Sequence, residues 1–254
     1  MTYTITSTQN SFIKTLKTLK SKKGRVENSL FLAEGVKCAK EAIDYGFASA
    51  LLTVNPSSFL CSCAEEKNID VYIVTPAIMQ TVSDSKTPQE ALCVCLRRFS
   101  RKLSENTFKN HLFVALEDVS DPQNVGTIIR TADAAGAGCV LLSADCADFT
   151  SPKAIRASMG SVFHIPVITS GDFICDLKEL KKAGIKLIAG HLKGSGILKK
   201  GDKNCIIIGN EARGLSDECS LLCDVLYKIN IYGKAESLNA AVAAGILMYK
   251  IIDG

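Results

Sequence analysis

The second half of this sequence alternates short apolar runs with amphipathic stretches, a pattern that few folds accommodate. Four runs predict strands: LFVALE at 112–117, CVLLS at 139–143, IKLIAG at 185–190 and CIIIG at 205–209. The stretches between them predict helices, and such alternation is typical of α/β architecture. We therefore expect an α/β fold whose ligands bind at the carboxyl ends of the strands.

The first hundred residues follow the same pattern on a smaller scale. The predicted elements are strands near 51–54, 71–74 and 91–96 and helices at 11–19 and 36–44. Residues 97–110, RRFSRKLSENTFKN, are polar and lack periodicity, which predicts a linker. We therefore divide the chain into two domains, residues 1–105 and 106–254.

Positive charge is concentrated in the first predicted domain. Residues 1–105 contain 14 lysines and arginines against 10 acids, whereas residues 106–254 contain 16 of each. The basic residues that precede the first acid, Glu27, are Lys14, Lys17, Lys20, Lys22, Lys23 and Arg25. Such a cluster suits a phosphate backbone, but it is also typical of a solvated helix face, and charge alone favours neither interpretation.

The composition excludes several other classes of protein. The chain has 254 residues, 47% of them hydrophobic, which is enough for a packed core. No run approaches the roughly 20 apolar residues that span a bilayer. Residues 1–10 also lack the apolar core of a signal peptide. We therefore expect a cytoplasmic protein that does not contact a membrane.

Eleven cysteines are spread through apolar runs such as ALCVCL, which indicates reduced thiols that pack as small hydrophobic side chains. Two C-x-C pairs, Cys61 with Cys63 and Cys93 with Cys95, come closest to a metal-binding pattern. Zinc sites favour C-x-x-C, and no histidine lies near either pair in the sequence. We expect no metal.

Polar residues follow the strand predicted at 112–117. Asp121 and Pro122 turn the chain, Asn124 stands at the predicted N-cap of the next helix, and Arg130 follows a little under two turns later. A helix N-terminus beside an arginine suits a phosphate group. A capped helix with a surface arginine accounts for the same residues, and this segment alone favours that simpler interpretation.

Two further segments place polar residues where apolar elements begin or end. Gly209, Asn210 and Glu211 follow the CIIIG strand, where a glycine lets a ligand approach the backbone closely. Ser237 and Asn239 open an Ala-rich helix. None of the three segments contains a histidine, and neither the P-loop nor the G-x-G-x-x-G pattern occurs, so a Ser-His-Asp triad and a nucleotide-binding loop are both excluded.

Taken in order, the three segments resemble the motifs of the SpoU, or TrmH, family of RNA ribose 2'-O-methyltransferases, members of the SPOUT class. The matches are N-x-G-x-x-x-R at 124–130, G-N-E-x-x-G-L at 209–215 and S-L-N-x-x-x-A at 237–243. Residues 151–167, with Arg156, are similar to the family's stretch between its first two motifs. The first domain is similar to the RNA-holding domain of many members, which resembles ribosomal protein L30e.

This resemblance implies a C-terminal SPOUT α/β domain with a deep trefoil knot, a homodimer formed through that domain, and S-adenosylmethionine (AdoMet) as cofactor. The residues that it assigns to the cofactor are Gly190, Gly209, Asn210, Glu211, Ile229, Ile231, Ser237, Leu238 and Asn239. Members often have Pro and Met after the first Ile of the third motif, where this chain has Asn230 and Ile231. The departure concerns the shape of the adenine pocket rather than contacts to the backbone.

The resemblance also assigns catalytic roles. Arg130 corresponds to an arginine proposed to take the ribose proton with help from an RNA phosphate. An equally supported role for Arg130 is to stabilise the developing alkoxide and to clamp the phosphate. Asn124 orients Arg130 or the ribose, Glu211 anchors the cofactor or shapes its turn, and Ser237 with Asn239 fixes the third loop. The residues expected to contact RNA are Lys14, Lys22, Lys23, Arg25, Arg130 and Arg156.

The substrate expected from the resemblance is 23S rRNA, because members that act on tRNA commonly lack the L30e-like domain. Methylation of a tRNA ribose is the alternative within the same enzyme class. A non-catalytic RNA-binding or ribosome assembly factor is the alternative outside it. The sequence does not select the nucleotide, nor does it exclude resistance to a ribosome-directed antibiotic through methylation.

Overall fold

The structure, a computed structural model, describes residues 1–100, 102, 103, 107–195, 198 and 202–253. The chain divides into two compact units, Met1–Arg98 with Asp148–His164, and Phe99–Ala147 with Ile165–Gly254. The predicted boundary between residues 105 and 106 lies outside the described residues, as does part of the predicted linker, and the domain division stays a prediction. Residues 148–164, which that division puts in the second domain, belong to the first unit.

The helices and strands occur along the chain in the order β1 (Thr2–Ile5), α1 (Ser11–Thr18), α2 (Lys22–Asn28), β2 (Leu30–Glu34), α3 (Val36–Asp44), β3 (Ala48–Thr53), α4 (Phe59–Glu66), β4 (Asp70–Val74), α5 (Pro76–Val82), β5 (Ala91–Leu96), β6 (Leu112–Leu116), α6 (Pro122–Ala134), β7 (Val140–Leu142), α7 (Pro152–Ser158), β8 (Val167–Thr169), α8 (Phe173–Lys182), β9 (Lys186–Gly190), β10 (Asn204–Ile208), α9 (Asp217–Leu222), β11 (Val225–Tyr227) and α10 (Ala240–Asp253). Short 3-10 turns lie at Thr107–Lys109 and Ser161–Phe163.

The first unit contains a five-stranded mixed sheet. Its strand order is β1-β4-β3-β5-β2, with β1 and β3 parallel to β4 and with β5 antiparallel to β3 and β2. The predicted strands and helices of this part are present, whereas β1, α2 and α4 were not predicted. Three of the four β1 residues are exposed, so this edge strand has no apolar run in its sequence. The basic helix α1 buries Ile13 and Leu16 and leaves Lys14 exposed.

The second unit contains a six-stranded sheet in which every pairing is parallel. Its order is β11-β9-β10-β6-β7-β8. The four apolar runs form β6, β7, β9 and β10, as predicted, and the central strands β6 and β10 are buried throughout. The short strands β8 and β11 were missed, because three residues are too few for a periodic signal. The α/β class expected from the alternation is confirmed.

Two helices of the second unit begin at places other than predicted. α6 starts at Pro122, and its N-cap is Asp121, whose side chain accepts from the Gln123 backbone N–H. The prediction that Asn124 is the N-cap was therefore wrong, and Asn124 lies inside the first turn. α10 starts at Ala240, three residues later than the predicted start at Ser237. It packs against α6 and β10, which brings the first and third motifs together.

The cysteines behave as small apolar side chains. All eleven are free thiols, and seven are buried, among them Cys93 and Cys95 of one C-x-C pair. Cys61 and Cys63, on α4, are half-buried. Within the described residues, no group of His, Cys, Asp and Glu side chains is arranged to hold a metal ion, and no helix has the length and apolarity to cross a bilayer.

Candidate active site

A chain of side-chain hydrogen bonds joins the three motifs. The Asn124 amide nitrogen donates to Glu211 Oε1 over 2.9 Å, and the Asn124 amide oxygen accepts from Asn239 Nδ2, also over 2.9 Å. Asn124 is buried in the first turn of α6, whereas its partners Glu211 and Asn239 are exposed, so the two bonds are partly buried. Side chains separated by about a hundred positions in sequence therefore share one polar network.

The Glu211 carboxylate accepts four hydrogen bonds from the segment before and within α6. Its donors are the Ser120 backbone N–H at 3.1 Å, the Ser120 hydroxyl at 2.9 Å, the Asp121 N–H at 3.3 Å and Asn124 at 2.9 Å. Partial burial, the largest influence, raises the pKa of Glu211, but the hydrogen bonds to the charged form outweigh it and lower the pKa to about 2. Glu211 is therefore an anion at neutral pH.

This anion changes the interpretation of the α6 N-terminus. Asp121 caps the first turn through the Gln123 N–H, and Glu211 accepts from the N–H groups of Ser120 and Asp121. The negative charge that a helix N-terminus favours is thus supplied by the protein itself. The phosphate site considered for this N-terminus is not supported by the structure.

The turn that follows β10 is held by Asn210. Its side-chain oxygen accepts from the N–H groups of Ala212 and Arg213 at 2.9 and 3.0 Å, and its amide nitrogen donates to the Asp118 carbonyl at 2.8 Å. Two backbone bonds pair Asn210 with Gly214, which has φ +72°. Asn210 therefore shapes the turn on which Glu211 lies.

The requirement for glycine at position 209 comes from the same turn. A Cβ atom at Gly209 would lie 2.5 Å from the carbonyl carbon of Gly214 and 2.6 Å from the Leu215 nitrogen. The space is therefore filled by the protein's own backbone. The close approach of a ligand to the Gly209 backbone stays a prediction, and the residue borders the cavity described next.

A cavity of about 420 Å³ opens at the carboxyl ends of β9, β10 and β11. The predicted cofactor residues that line it are Gly190, Gly209, Asn210, Glu211, Ile229, Ile231, Ser237 and Leu238. Apolar walls come from isoleucine and leucine side chains, and polar groups come from the turn after β10. Asn239 is not part of the lining. Its side-chain oxygen accepts from the N–H groups of Ala241 and Val242 and so caps α10.

Several lining residues were not predicted. His191, Lys193, Arg213, Asp217 and Tyr227 all border the cavity. The backbone of His191 donates to the Tyr227 carbonyl at 2.9 Å, which ties the ends of β9 and β11 together. His191 directly follows the predicted strand IKLIAG, so its place at a strand end was a usable signal, whereas β11 left none.

Arg130 is separated from the network that contains Asn124. It lies on α6 with an exposed side chain, outside the cavity lining. Within the described part of the chain, it makes no hydrogen bond or ion pair to an acid. The structure thus brings Asn124, Glu211 and Asn239 together, with Ser237 at the cavity border, but it leaves Arg130 facing outwards.

Three of the lysines predicted to bind RNA are exposed in the first unit, and Arg25 is not. Lys14, Lys22 and Lys23 are exposed, and Lys23 lies 3.7 Å from Glu27 in an i,i+4 pair. Arg25 is only 3% exposed. Its guanidinium donates to Asp148 at 2.8 and 3.0 Å and to the carbonyl of Leu19 at 2.9 Å. The RNA-contact prediction for Arg25 was therefore wrong, since its donors are used internally.

Asp148 is the buried partner of Arg25. Burial, the largest influence, raises the pKa of Asp148, but hydrogen bonds from Thr150 and the charge of Arg25 lower it below its ordinary value. Arg97 adds a second, weaker contact at 3.9 Å. Arg156, also predicted to bind RNA, is half-exposed and lies 3.7 Å from Asp84.

Comparisons with known proteins identify the family of the chain. Residues 111–249 match the SpoU rRNA Methylase family, and residues 10–93 match the MRM3-like substrate binding domain. The chain is 32% identical over 251 residues to the 23S rRNA (guanosine(2553)-2'-O)-methyltransferase RlmP of Bacillus subtilis, covering 97% of this chain and 98% of the relative.

Two further similarities extend over almost the whole chain. The 23S rRNA (uridine(2479)-2'-O)-methyltransferase of Streptomyces viridochromogenes is 26% identical over 261 residues, which cover 98% of this chain and 91% of that protein. The crystal structure of an AdoMet-bound rRNA methyltransferase from Sinorhizobium meliloti superposes with a TM-score of 0.86 at 32% identity, covering 98% and 97% of the two chains. The chain belongs to the SpoU rRNA methylase family.

Proposed function

We propose that this protein transfers a methyl group from AdoMet to the 2'-hydroxyl of a ribose in RNA, and that the RNA is 23S rRNA. The observation that carries the proposal is the hydrogen-bonded chain Glu211–Asn124–Asn239, which joins the three family motifs beside the cavity. The relatives from B. subtilis and S. viridochromogenes, which are named for this reaction, support it.

The cavity has the size and chemistry to hold AdoMet. Its volume of about 420 Å³ lies in the range of small-molecule sites. Ile208, Ile229, Ile231 and Leu238 form apolar walls that suit an adenine ring, and the backbone of the 209–215 turn offers polar groups. When bound, AdoMet supplies a methyl group activated by a sulfonium, which a ribose oxygen takes in line. The AdoMet-bound relative from S. meliloti supports this assignment.

The protein's own residues position the reactants. Glu211 is a fixed anion that holds the turn after β10 against α6. Asn239 caps the start of α10 and also bonds Asn124 of α6, which holds the two helices together. Such preorganisation contributes several kcal/mol in reactions that require in-line geometry. We assign Arg130 to the RNA, where its guanidinium clamps a phosphate and stabilises the alkoxide that develops on the ribose. Proton acceptance by Arg130 is the more demanding role for a guanidinium.

We further propose a homodimer through the second unit. Val242, Ile246 and Tyr249 lie on one face of α10 and are 52%, 39% and 44% exposed. Their i, i+4, i+7 spacing gives an apolar stripe on a helix of the catalytic unit, which is typical of a surface that a second copy covers. Sedimentation equilibrium tests this proposal. A molecular mass equal to that of a monomer at micromolar protein concentration would contradict it.

The nucleotide is not determined by the shared site. The two relatives are named for a guanosine and a uridine at different positions, so the target depends on RNA shape read outside the conserved motifs. Mass-spectrometric mapping of 2'-O-methyl groups in 23S rRNA and tRNA, from cells with and without this protein, identifies it. Loss of a single 23S methyl group is expected. Loss of a tRNA methyl group supports the alternative substrate instead.

A non-catalytic RNA-binding role is separated from this proposal by calorimetry. We expect AdoMet to bind the purified protein, and no heat of binding at millimolar ligand supports the non-catalytic alternative. The trefoil knot and a cytoplasmic location also stay predictions that accompany the proposal.

A further inference from the structure

A single aromatic side chain projects from the loop beside the cavity. Tyr232 is 94% exposed, the highest value among the large hydrophobic side chains in the described ranges. It lies between β11 and α10, directly after Ile231, which lines the cavity. A tyrosine ring has a large apolar area, and its burial normally stabilises the fold. At this exposed position, Tyr232 does not contribute that stabilisation.

The surroundings of Tyr232 are polar and open. Lys228 and Lys234 are exposed in the same loop, and neither lies within an ion pair among the residues that the structure describes. Glu236 is the one acid between them and α10 in the sequence. A Cβ atom added to the neighbouring Gly233 would meet no atom within 4 Å, so the loop is also open at the residue after Tyr232.

This combination differs from the apolar face of α10. Protein interfaces gather apolar and aromatic side chains into a contiguous patch, as Val242, Ile246 and Tyr249 do. Tyr232 instead lies between Lys228 and Lys234 in the sequence, and Lys250 of α10 is close enough to interact electrostatically with it. An exposed ring flanked by positive charge is how proteins hold single-stranded nucleic acid, because a base stacks on the ring while the lysines attract phosphates.

We propose that Tyr232 is a stacking platform for a base of the substrate RNA next to the methylated ribose. The inference rests on the proposed function and adds a residue that recognises the RNA. Sequence-specific recognition of RNA uses bases that are splayed out of the stack, and proteins hold such bases on aromatic rings. Tyr232 provides such a ring one residue after Ile231 of the cavity lining, and the exposed Lys228 and Lys234 provide charge for the adjoining phosphates.

The first test compares Tyr232→Ala, Tyr232→Phe and Tyr232→Leu in steady-state methylation of an unmodified 23S rRNA transcript. Stacking on an aromatic ring is lost in the alanine and leucine variants, so KM for the transcript should rise roughly 5- to 150-fold in both. The phenylalanine variant keeps the ring and should stay within about 3-fold of the wild type. The control is Leu221→Ala, which removes another highly exposed apolar side chain of the same unit away from the cavity.

Two companion measurements exclude merely structural effects. The AdoMet affinity and the sedimentation mass of Tyr232→Ala should equal those of the wild type. A loss of dimer mass in this variant would assign Tyr232 to a contact between copies and overturn the proposal. An alanine variant with unchanged KM, or a leucine variant that behaves like phenylalanine, would also overturn it.

A binding measurement separates this inference from the proposed function. Fluorescence anisotropy with a labelled 12-nucleotide oligouridylate, and with the same strand carrying abasic sites throughout, detects stacking without methyl transfer. The wild type should prefer the strand with bases, and Tyr232→Ala should bind both strands equally. If the wild type methylates no RNA yet shows this preference, the proposed function fails and the platform stands. If methylation proceeds and the preference is the same in both proteins, the platform fails alone.

Discussion

Asn124 donates its side-chain N–H to Glu211 over 2.9 Å from inside the first turn of α6. The bond connects the segment after β6 with the segment after β10, two strands that pair directly in the parallel sheet. Because Asn124 also accepts from Asn239, one buried amide orders three loops at once. The cavity depends on this amide, although the cavity is not lined by it.

Replacing Asn124 with alanine should loosen the site and destabilise the second unit. Asn239 loses its acceptor and Glu211 loses one of its four donors, and each hydrogen bond contributes about 0.5–1.5 kcal/mol net. Urea unfolding should show that loss, and AdoMet affinity should fall with it. Gln123→Ala, on the same turn but exposed, serves as the control. Wild-type stability and affinity in the Asn124 variant would show that the network is dispensable.

Replacing Arg130 with alanine should abolish methyl transfer while leaving the fold intact. The side chain is exposed and makes no ion pair with another described residue, so its removal breaks no internal contact. Loss of one group that stabilises developing charge lowers kcat by about 100- to 1000-fold. Incorporation of labelled methyl groups into 23S rRNA measures it, with exposed Lys182→Ala as the control. Wild-type incorporation would remove Arg130 from the mechanism.

Charge reversal at Lys22 and Lys23 should weaken RNA binding and reduce its dependence on salt. Both lysines are exposed in the first unit, where phosphates can approach them. Each phosphate contact contributes about 0.9 to the slope of log affinity against log salt, so the double variant should lose nearly 2 from that slope. The Lys67→Glu variant, exposed on the same unit, should change affinity much less. Equal slopes in all three proteins would move the RNA surface elsewhere.

Removal of the Asp148 charge should destabilise the first unit. Asp148→Ala leaves Arg25 buried without its partner, and breaking a buried ion pair from one side costs about 3–5 kcal/mol. The exposed Asp145→Asn variant controls for the loss of an acid nearby in sequence. Thermal unfolding of the two variants compares them directly, and similar melting temperatures would contradict a structural role for the pair.

The same pair should make stability depend on pH. Because the pKa of Asp148 is lower in the folded protein than in the unfolded chain, its stabilisation is present above the ordinary value of 3.8. It is lost as the pH falls below that value and through the folded pKa. Urea unfolding between pH 3 and 6 should therefore show a decline in the wild type on acidification that is shallower in Asp148→Ala. Parallel curves would show that Asp148 contributes nothing to the acid dependence.

The sequence by itself determined the class of fold and part of the cavity. Apolar runs such as those of β6 and β10 predict buried parallel strands. A strand that is covered on both faces is apolar throughout and does not alternate between apolar and polar residues. Gly209, Asn210 and Ser237, polar or small residues at the ends of apolar elements, line the cavity, and the resemblance to the family added the other predicted lining residues. Those signals depend on residues that are neighbours in the sequence, so they can be recognised without the structure.

Only the tertiary structure decided which of the polar residues face inwards. Arg25 lies in a lysine-rich segment and has the same charge as its neighbours, but a distant acid, Asp148, gives it a buried partner. Asn124 resembled a cap until Asp121 was found at that position, and only the fold brings its side chain to Glu211. The need for glycine at position 209 likewise comes from the 214–215 backbone. Burial and pairing depend on residues far away in sequence, and no periodicity within one segment encodes them.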